Sequence, residues 1–404
     1  MRRCIYILLL ISFIISSAKA EDNITIGVLC PLTGPYSFEA ESQQNFAYLA
    51  AEEINAAGGV LGRKIDIVIE DTQLKASMGA KKARMLIQSG VEYLTGGVSS
   101  NVVAAISRVA HENGILHLGI GGSNALTGKD CNQHHFNLDT AAYQMVLGTG
   151  TYAIERLGLP NEWFTITADY SWGRTCLEST EKMLTGRGGR LVGNAMVTLR
   201  EKEFSPALLR ALVSGAPVLC VIVYGSGQGR LLQQAYDFGI TNKKMKVVVI
   251  ASDITIALHA KPEALSGVYF GLPWYWDINN ADVRQLSKRY WDKFGNPPAW
   301  PGVQVYDSIK VLAMAIEKGG TFSIPQLIPI LEGLEFHTSK GTQRIRACDH
   351  RAIQDWYLGI GKEPDDMRNR WDILKIMGKV DGDNIMYSCE DTGCKMNSDI
   401  DTAR

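Results

Sequence analysis

Short apolar segments with strand character alternate with helical segments along almost the whole sequence. The runs ITIGVL, IDIVIED, VEYLTGG and ILHLGIG are short and rich in β-branched residues. Between them, apolar residues recur at helical spacing, as at Phe46, Leu49, Ala50 and Ile54. A strand followed by a helix, repeated many times, predicts a mostly parallel sheet with helices on both faces.

The strand–helix pattern begins again near Asp139 and continues through EWFTITADYSWG, RLVGNAMVTL, PVLCVIVYGSGQG and KMKVVVIASD. The chain has 404 residues, of which 46% are apolar, so it can bury the cores of about two domains. We therefore predict an α/β protein of two closely joined lobes. Near the end, RIRACDHRAIQDWYLGIG suits an antiparallel edge, and residues 387–404 are predicted to form a polar, frayed tail.

Residues 1–20 have the arrangement of a secretory signal peptide. Arg2 and Arg3 precede an apolar run from Ile5 to Ile15, and small residues follow up to Ala20. A membrane anchor is the alternative, but the run is shorter than the ~20 residues that span a bilayer. We predict cleavage after Ala20 and a mature protein that is periplasmic or extracellular.

The charges of the chain nearly cancel, with 41 basic and 42 acidic residues and a formal net charge of -1. No overall field therefore attracts nucleic acid or an anionic membrane. We expect a small-molecule partner and no nucleic acid.

The cysteines predict one disulfide and no metal centre. One of the eight cysteines lies in the predicted signal peptide, and the odd remainder leaves at least one thiol unpaired within the chain. Cys389 and Cys394, in CEDTGC, are predicted to pair. Cys220 lies within VLCVIVY and is predicted to be a buried thiol. Cys348 and His350 are close in sequence, but further ligands are lacking, so we predict no metal.

Several loops at predicted strand ends resemble catalytic or nucleotide-binding motifs, but each departs from the pattern that the chemistry requires. GSNALTGK has one residue too many for a phosphate loop, and Asp130 replaces the hydroxyl residue. GSGQGR has Arg230 in place of the third glycine of a dinucleotide loop. GGSNA has Ala125 where a nucleophile elbow needs glycine. His134 and His135 are adjacent on a predicted strand and should point to opposite faces. We predict a binding protein without a cofactor, not an enzyme.

Six segments carry a family resemblance: IGVLCPLTG, EEINAAGGVLGRKI, SRVAHENGI, SNALTGKDC, TADYSWGR and YDSIKVLAMAIEKGG. Together, from about Ile24 to Tyr357, they resemble solute-binding proteins of the branched-chain amino-acid type, which serve ABC importers. VSSNVVAAISRVA, SNALTGKDC and YWDINN are similar to a branch associated with aromatic and other organic acids. The resemblance implies a two-lobed type I periplasmic binding protein fold and a ligand that is an amino acid or an aromatic or other organic acid.

The resemblance also implies three crossings between the lobes, which we place near Thr140, Leu272 and Ser339. The expected divisions are residues 21–140 and 273–338 for the first lobe, 141–272 and 339–386 for the second, and 387–404 for the tail. Ligand would be held between the lobes, which close by a hinge motion. The membrane permease of an ABC importer would recognise the closed form. A sensor that reports the ligand to a membrane receptor is the alternative.

In amino-acid-binding relatives, hydroxyls and backbone amides that follow two first-lobe strands hold the ligand carboxylate. The matching positions here are Ser99 or Ser100 in GGVSSN, and Gly121, Gly122 and Ser123 in GIGGSN. Glycine lets the backbone approach closely, and amides with hydroxyls can satisfy an anion without an arginine. The alternative is a tight turn in which Ser123 only caps the next element.

Aromatic residues are predicted to complete the site. Tyr170, in ADYSWG, matches a ring that relatives present from the second lobe, and Tyr224 with Gly225 occupies the corresponding loop one strand later. Both follow apolar strands at their exits, and the alternative is that each tyrosine is only part of the core. Tyr36, in GPYSF, is predicted to line the first-lobe wall as a lid.

Asp253, in ASDITIALHA, has two candidate roles. In amino-acid binders an acidic residue near this strand end pairs with the ligand ammonium, which would contribute ~1.5–3 kcal/mol. The residue also stands where an N-cap belongs, and we favour the cap.

In PWYWD, strand alternation would aim Trp274 and Trp276 to one side and Tyr275 to the other. Trp274 would then serve as an aromatic wall of the site or as hinge packing.

Overall fold

The computed structural model describes residues 23–241 and 245–396. The predicted signal peptide, residues 1–20, and residues 397–404 of the predicted tail lie outside the described residues. Within the described ranges, no helix combines the length and the apolarity needed to cross a membrane. The chain forms two lobes around two large, mostly parallel sheets with flanking helices, which confirms the predicted α/β class.

The first lobe begins with five strands and three helices. The strands are β1 (Ile24–Cys30), β2 (Ile65–Asp71), β3 (Tyr93–Gly96), β4 (Leu116–Gly119) and β5 (His135–Asn137), and the helices are α1 (Ser37–Ala56), α2 (Ala76–Gln88) and α3 (Ser100–Glu112). The sheet is parallel throughout, in the order β2-β1-β3-β4-β5. The apolar stripe predicted in α1 is buried, including Phe46 and Ile54.

The second lobe repeats the strand–helix order. Its strands are β6 (Glu162–Ala168), β7 (Arg190–Val197), β8 (Val218–Ile222), β9 (Lys246–Val249) and β10 (Tyr269–Leu272), and its helices are α4 (Ala142–Val146), α5 (Tyr152–Glu155), α6 (Ser171–Thr185), α7 (Ser205–Val213), α8 (Ser226–Asp237) and α9 (Pro262–Leu265). Every residue of β8 is buried, as expected for a central strand of a parallel sheet. Cys220 lies in this strand and is a buried free thiol, as predicted.

The chain then returns to the first lobe. It forms α10 (Ala281–Phe294), α11 (Trp300–Gly319), α12 (Ile324–Leu331) and three short antiparallel strands, β11 (Glu335–Thr338), β12 (Gly341–Ile345) and β13 (Ala352–Ile353). α11 packs so closely along α1 that a β-carbon at Gly302 would collide with Ser42. Glycine at this position therefore permits the close packing. The ring of Tyr290 in α10 stacks on Phe46 of α1, with ring centres 4.5 Å apart.

The three short strands continue the first lobe, which corrects the predicted third crossing near Ser339. Arg351, just before β13, forms a parallel bridge with Asn137 of β5. The ring of His350 stacks on that of Phe136, with centres 3.9 Å apart. The chain therefore leaves the first lobe later, after β13. Alternation of apolar residues predicts a strand, but it does not tell which sheet the strand joins.

The last two strands, β14 (Trp356–Gly361) and β15 (Leu374–Val380), complete the second lobe. They are antiparallel and extend its sheet to the order β15-β14-β10-β9-β8-β6-β7. The predicted antiparallel edge is thus confirmed for β14. A short helix, α13 (Cys389–Thr392), follows. Single helical turns occur at Asn124–Thr127, Leu147–Thr151, Ile254–Leu258, Pro364–Asp366 and Gly382–Ile385.

Two disulfides fasten the C-terminal segment to the first lobe. Cys131 pairs with Cys394, and Cys348 pairs with Cys389. The predicted bridge between Cys389 and Cys394 is therefore wrong. The helical turn α13 and the left-handed Gly393, with φ 72°, lie between these two cysteines and direct their side chains to different partners.

Residues 386–394 form a fourth connection between the lobes, called here the C-terminal strap. Its start contacts the second lobe, where Gln144 Nε2 donates to Met386 Sδ at 2.7 Å and the Tyr387 ring stacks on Tyr143 with centres 3.9 Å apart. Its end is held to the first lobe by both disulfides. The expectation of a frayed tail is therefore wrong for the strap.

Peptide mapping without reduction tests this connectivity. We expect cross-linked peptides that join Cys131 to Cys394 and Cys348 to Cys389. The double variant Cys348→Ser/Cys389→Ser should lose about 2–5 kcal/mol of unfolding free energy in a denaturant titration, because part of the strap is released. Cys220 is the internal control and should react with a thiol reagent only after unfolding. A peptide in which Cys389 is bonded to Cys394 would contradict the described fold.

Candidate functional site

A cavity lies between the two lobes, where loops that follow their parallel strands face each other. Its volume is about 40 Å³, well below the ~300–1,000 Å³ of typical ligand pockets. A ligand therefore requires the lobes to separate further. The residues that line the cavity include Val98, Ile120, Gly122 and Asp139 from the first lobe, Met145, Tyr170, Trp172, Tyr224 and Ala251 from the second, and Trp300 and Gln304 from α11.

The predicted glycine loop of the first lobe reaches this cavity through Gly122. A β-carbon on Gly122 would lie 2.6 Å from Trp172 Cδ1 and 2.9 Å from Met145 Cε. The second lobe thus packs directly on the backbone of the loop, and a larger residue would hold the lobes apart.

Arg351 fixes the loop from behind. Its side chain is fully buried, and its guanidinium donates to four acceptors: Thr127 Oγ1 at 3.0 Å and the carbonyl oxygens of Gly121 at 3.3 Å, Ser123 at 3.2 Å and Asp139 at 2.8 Å. In a trans peptide the C=O and the following N–H point in opposite directions. Because the Gly121 carbonyl points to Arg351, the Gly122 N–H points away from Arg351, and Gly122 itself lines the cavity. This N–H donates to no described residue.

Two of the three predicted serines, Ser100 and Ser123, hold the loops together. Ser100 Oγ accepts from Ser123 N at 3.0 Å, and Ser123 Oγ lies 2.8 Å from Ser171 Oγ of the second lobe. Ser123 Oγ also caps the helical turn that follows it. The capping role considered from the sequence is therefore present, and the same hydroxyl also bridges the lobes. Ser99 is buried directly before α3 and makes no side-chain capping bond.

Three predicted tyrosines meet across the cleft. Tyr36 Oη of the first lobe lies 3.5 Å from Tyr170 Oη of the second, and the Tyr36 ring centre lies 5.7 Å from that of Tyr224. Gly225, with φ 66°, lies against the Tyr36 ring, where a β-carbon would collide with it. Tyr170 and Tyr224 line the cavity, whereas the fully buried Tyr36 belongs to the contact between the lobes.

Asp253 has partners on both carboxylate oxygens. Oδ1 accepts from Thr255 N at 2.9 Å and from Thr255 Oγ1 at 2.6 Å, so Asp253 is the N-cap of the turn Ile254–Leu258. Oδ2 accepts from Tyr224 Oη at 2.6 Å. Burial raises the pKa of Asp253, while the hydrogen bonds from Thr255 and Tyr224 lower it. The N-cap favoured from the sequence is therefore present.

The side-chain alternation predicted for PWYWD is wrong. β10 ends at Leu272, so the residues after it are not on a strand. Tyr275 Oη and Trp276 Nε1 both donate to Trp371 O, at 2.8 and 3.2 Å, although alternation would place them on opposite sides. Trp274 is buried but lies outside the cavity lining.

Sequence reasoning missed two aromatic walls of the cavity. Trp172 lies in the ADYSWG loop, two residues after Tyr170, and its position shortly after a strand end is a signal that the sequence offers. Trp300 begins α11, far from the other lining residues in sequence, and carries no such signal. Lys340 Nζ lies 4.6 Å from the Trp300 ring centre and donates to Gln354 Oε1 at 2.5 Å. Burial lowers the pKa of Lys340 to about 7.

Two acidic residues at the cleft were also missed. Asp139 Oδ1 accepts from Gln304 Nε2 at 2.9 Å. Burial raises the pKa of Asp139, while the Gln304 hydrogen bond and the charge of Arg351 lower it. Glu39, in the first turn of α1, is 1% exposed, and its Oε1 has no hydrogen-bond partner among the described residues.

The structure offers no metal-binding cluster within residues 23–241 and 245–396, where no group of three or more His, Cys, Asp or Glu side chains converges. His134 and His135 point in different directions, as predicted: the His134 ring pairs with His111, and the His135 ring pairs with His117.

The comparison with protein families matches residues 23–363 to the periplasmic binding proteins. The match spans most of the chain, so this protein belongs to that family. The resemblance found in the sequence is thereby confirmed.

Relatives and solved structures agree with this assignment. The Leu/Ile/Val-binding protein homolog 3 of Brucella melitensis is 24% identical over 325 residues, which cover 76% of this chain and 82% of that protein. An amino acid ABC transporter substrate-binding protein from Pseudomonas fluorescens Pf-5 has a TM-score of 0.86 at 27% identity, and the match covers 93% of this chain and 100% of that chain.

A more distant structure shares the fold. It is a solute-binding protein of an ABC transporter from Rhodopseudomonas palustris BisB5 in complex with 3,4-dihydroxy benzoic acid. Its TM-score is 0.79 at 21% identity, and the match covers 90% of this chain and 98% of that chain. Together the comparisons confirm the two-lobed type I fold. They identify this protein as a periplasmic solute-binding protein, not an enzyme.

We predict that Arg351→Met destabilises the folded protein around the glycine loop. The variant removes all four hydrogen bonds of the Arg351 guanidinium at a fully buried position, including the bond to Asp139 O, which should lower the free energy of unfolding by about 3 kcal/mol or more. Arg108→Met, at an exposed position of α3, is the matched control and should stay within about 0.5 kcal/mol of the wild type. Chemical denaturation of the three proteins measures the difference. Equal stability of the two variants would contradict the role assigned to Arg351.

Proposed function

We propose that this protein binds a small carboxylate, either an amino acid or an aromatic or other organic acid, between its lobes and delivers it to an ABC permease. The observation that carries the proposal is that Gly122 lines the interlobe cavity and that its N–H donates to no described residue. An unpaired amide in a closed cleft is a ready partner for a carboxylate oxygen.

The rest of the cavity wall suits the apolar part of such a ligand. Tyr170, Trp172 and Tyr224 line the cavity from the second lobe, and Trp300, at the start of α11, lines it from the first lobe. Ring faces and edges of this kind pack well on aromatic or branched aliphatic groups. The relatives include a Leu/Ile/Val-binding protein homolog and a solute-binding protein in complex with 3,4-dihydroxy benzoic acid, which together cover this range of ligands.

Contacts between the lobes support a hinged closure around the ligand. Ser226 N donates to Pro35 O at 3.3 Å, and Ser123 Oγ pairs with Ser171 Oγ. These neutral hydrogen bonds each contribute only about 1 kcal/mol, so they can open and close reversibly. A ligand that contacts both lobes would shift the balance to the closed form, which a permease could recognise. The names of the relatives favour transport over the sensor alternative. Genes for permease and ATPase subunits beside this gene would support delivery.

Calorimetric titration tests the function. The protein is unfolded and refolded to remove any bound solute, and is then titrated with a panel of amino, aromatic and aliphatic acids. We expect saturable binding with one site per chain and a change in tryptophan fluorescence, because Trp172 and Trp300 line the cavity. Absence of binding by every class in the panel would contradict the proposal.

Two variants test the location of the site. Ser123→Ala removes the hydroxyl that joins the lobes, and Tyr224→Ala removes part of the cavity wall. Each should weaken ligand binding about tenfold, the equivalent of ~1.4 kcal/mol. Tyr48→Ala, on the exposed side of α1 with 46% of the residue accessible, is the control and should bind as the wild type does. Wild-type affinity in both test variants would exclude this cleft as the site.

A further inference from the structure

A second opening between the lobes, called here the outer groove, lies where α8 begins. Its volume is about 430 Å³, and it shares no lining residue with the interlobe cavity. Gly34, Pro35 and Phe38 line it from the first lobe, and Ser226 and Gly227, at the start of α8, line it from the second. The outer groove is therefore a separate place where a solute can contact both lobes.

The glycine-rich loop GSGQGR forms one wall of the outer groove. It follows β8 and begins α8, and Arg230 excludes it as a dinucleotide loop. Gly225, with φ 66°, makes the turn, and the N–H of the buried Gly227 donates to no described residue. A free amide at a helix N-terminus attracts an anion, and an arginine in the first turn adds to that attraction.

Three cationic side chains line the outer groove without forming an ion pair to any described residue: Arg200, Lys202 and Arg230. Arg200 Nη2 donates to Gln73 O at 3.4 Å, and Arg230 Nη1 donates to Ser226 Oγ at 3.0 Å. Both acceptors are neutral, so they leave the positive charges in place.

The other titratable residues of the second-lobe wall do not balance these cations. Glu201 is the one carboxylate there, and its Oε1 accepts from the backbone N–H groups of Lys202 at 3.0 Å and Glu203 at 3.3 Å. Burial lowers the pKa of His259, and the positive charge of Arg230 lowers it further. Three cations thus face one carboxylate, and the wall has a net positive charge.

Glu39, on the first-lobe wall, points independently to a missing partner. It is 1% exposed, Thr255 hydrogen-bonds to its carboxyl group, and its Oε1 has no partner among the described residues. Burial raises the pKa of Glu39 well above its usual range, and the charge of Asp253 raises it further. The carboxyl group therefore keeps its proton to higher pH and acts as a donor. A buried donor without an acceptor is unfavourable, and an oxygen of a bound anion would satisfy it.

We propose that the outer groove binds a phosphate group, either free phosphate or the phosphate of a larger solute. Arg230, Lys202 and the Gly227 N–H would be its partners. Phosphate is favoured because it presents several charged oxygens at once, and arginine, lysine and a helix N-terminus each bind such an oxygen. The site is distinct from the carboxylate cleft and gives the protein a second ligand.

Calorimetric titration with inorganic phosphate and with glycerol 3-phosphate tests the site, at an ionic strength held constant with sodium chloride. The proteins are the wild type, Arg230→Gln, Lys202→Gln and the control Arg108→Gln. Arg108 is exposed on α3 and lies outside the groove, so the control loses the same charge elsewhere. We expect one site per chain and equal affinity in the wild type and the control. Each groove variant should bind about tenfold more weakly, because a charged partner is lost.

The tighter of the two compounds identifies the source of the phosphate group. Lys202 is exposed, so its variant keeps the fold even if Arg230→Gln does not, and circular dichroism verifies this. Failure of the wild type to bind either compound, or binding by Lys202→Gln as tight as that of the control, would overturn the proposal. Carboxylate binding in the cleft is measured separately and stands under either result, because the groove and the cavity have no lining residue in common.

Discussion

The guanidinium of Arg351 is the interaction on which the arrangement of the cleft depends. Arg351 lies just before β13, next to the loop after β4 and the first crossing between the lobes. Its guanidinium donates to carbonyl oxygens of that loop, at Gly121 and Ser123, and of the crossing, at Asp139. A buried arginine is tolerated here because every one of its nitrogens finds an acceptor. The same bonds hold the carbonyl of Gly121 toward Arg351, so the N–H of Gly122, which lines the cavity, points away from Arg351.

The second constraint is the close approach of the two lobes. Gly122 of the first lobe packs against the ring of Trp172 of the second, and Gly225 of the second lobe packs against the ring of Tyr36 of the first. The same closure brings Glu39 and Asp253 near each other and removes both from water. Burial raises the pKa of both carboxyls, and the charge of Asp253 raises that of Glu39 further. The lobes are further joined by the C-terminal strap, a covalent tie that limits how far they can separate.

The sequence was informative wherever a local pattern determines the structure. The strand–helix alternation predicted the α/β class, and the polar loops at strand ends predicted residues such as Gly122, Tyr170 and Tyr224, which the structure brings to one cavity. The N-cap at Asp253 followed from its place before a helical turn. Features that depend on distant parts of the chain were not predictable. Nothing in the spacing of CEDTGC indicates that its cysteines pair with Cys131 and Cys348.

The central claim is that the closed cleft holds a small solute and leaves it chemically unchanged. Native mass spectrometry of protein purified without unfolding measures this directly. The account predicts a complex with one solute per chain, from which the solute is released on unfolding. The released solute should have the same mass as the compound that binds to the refolded protein. Purified protein that repeatedly carries no solute and gains none from a panel of amino and organic acids, or that releases a compound of altered mass, would contradict it.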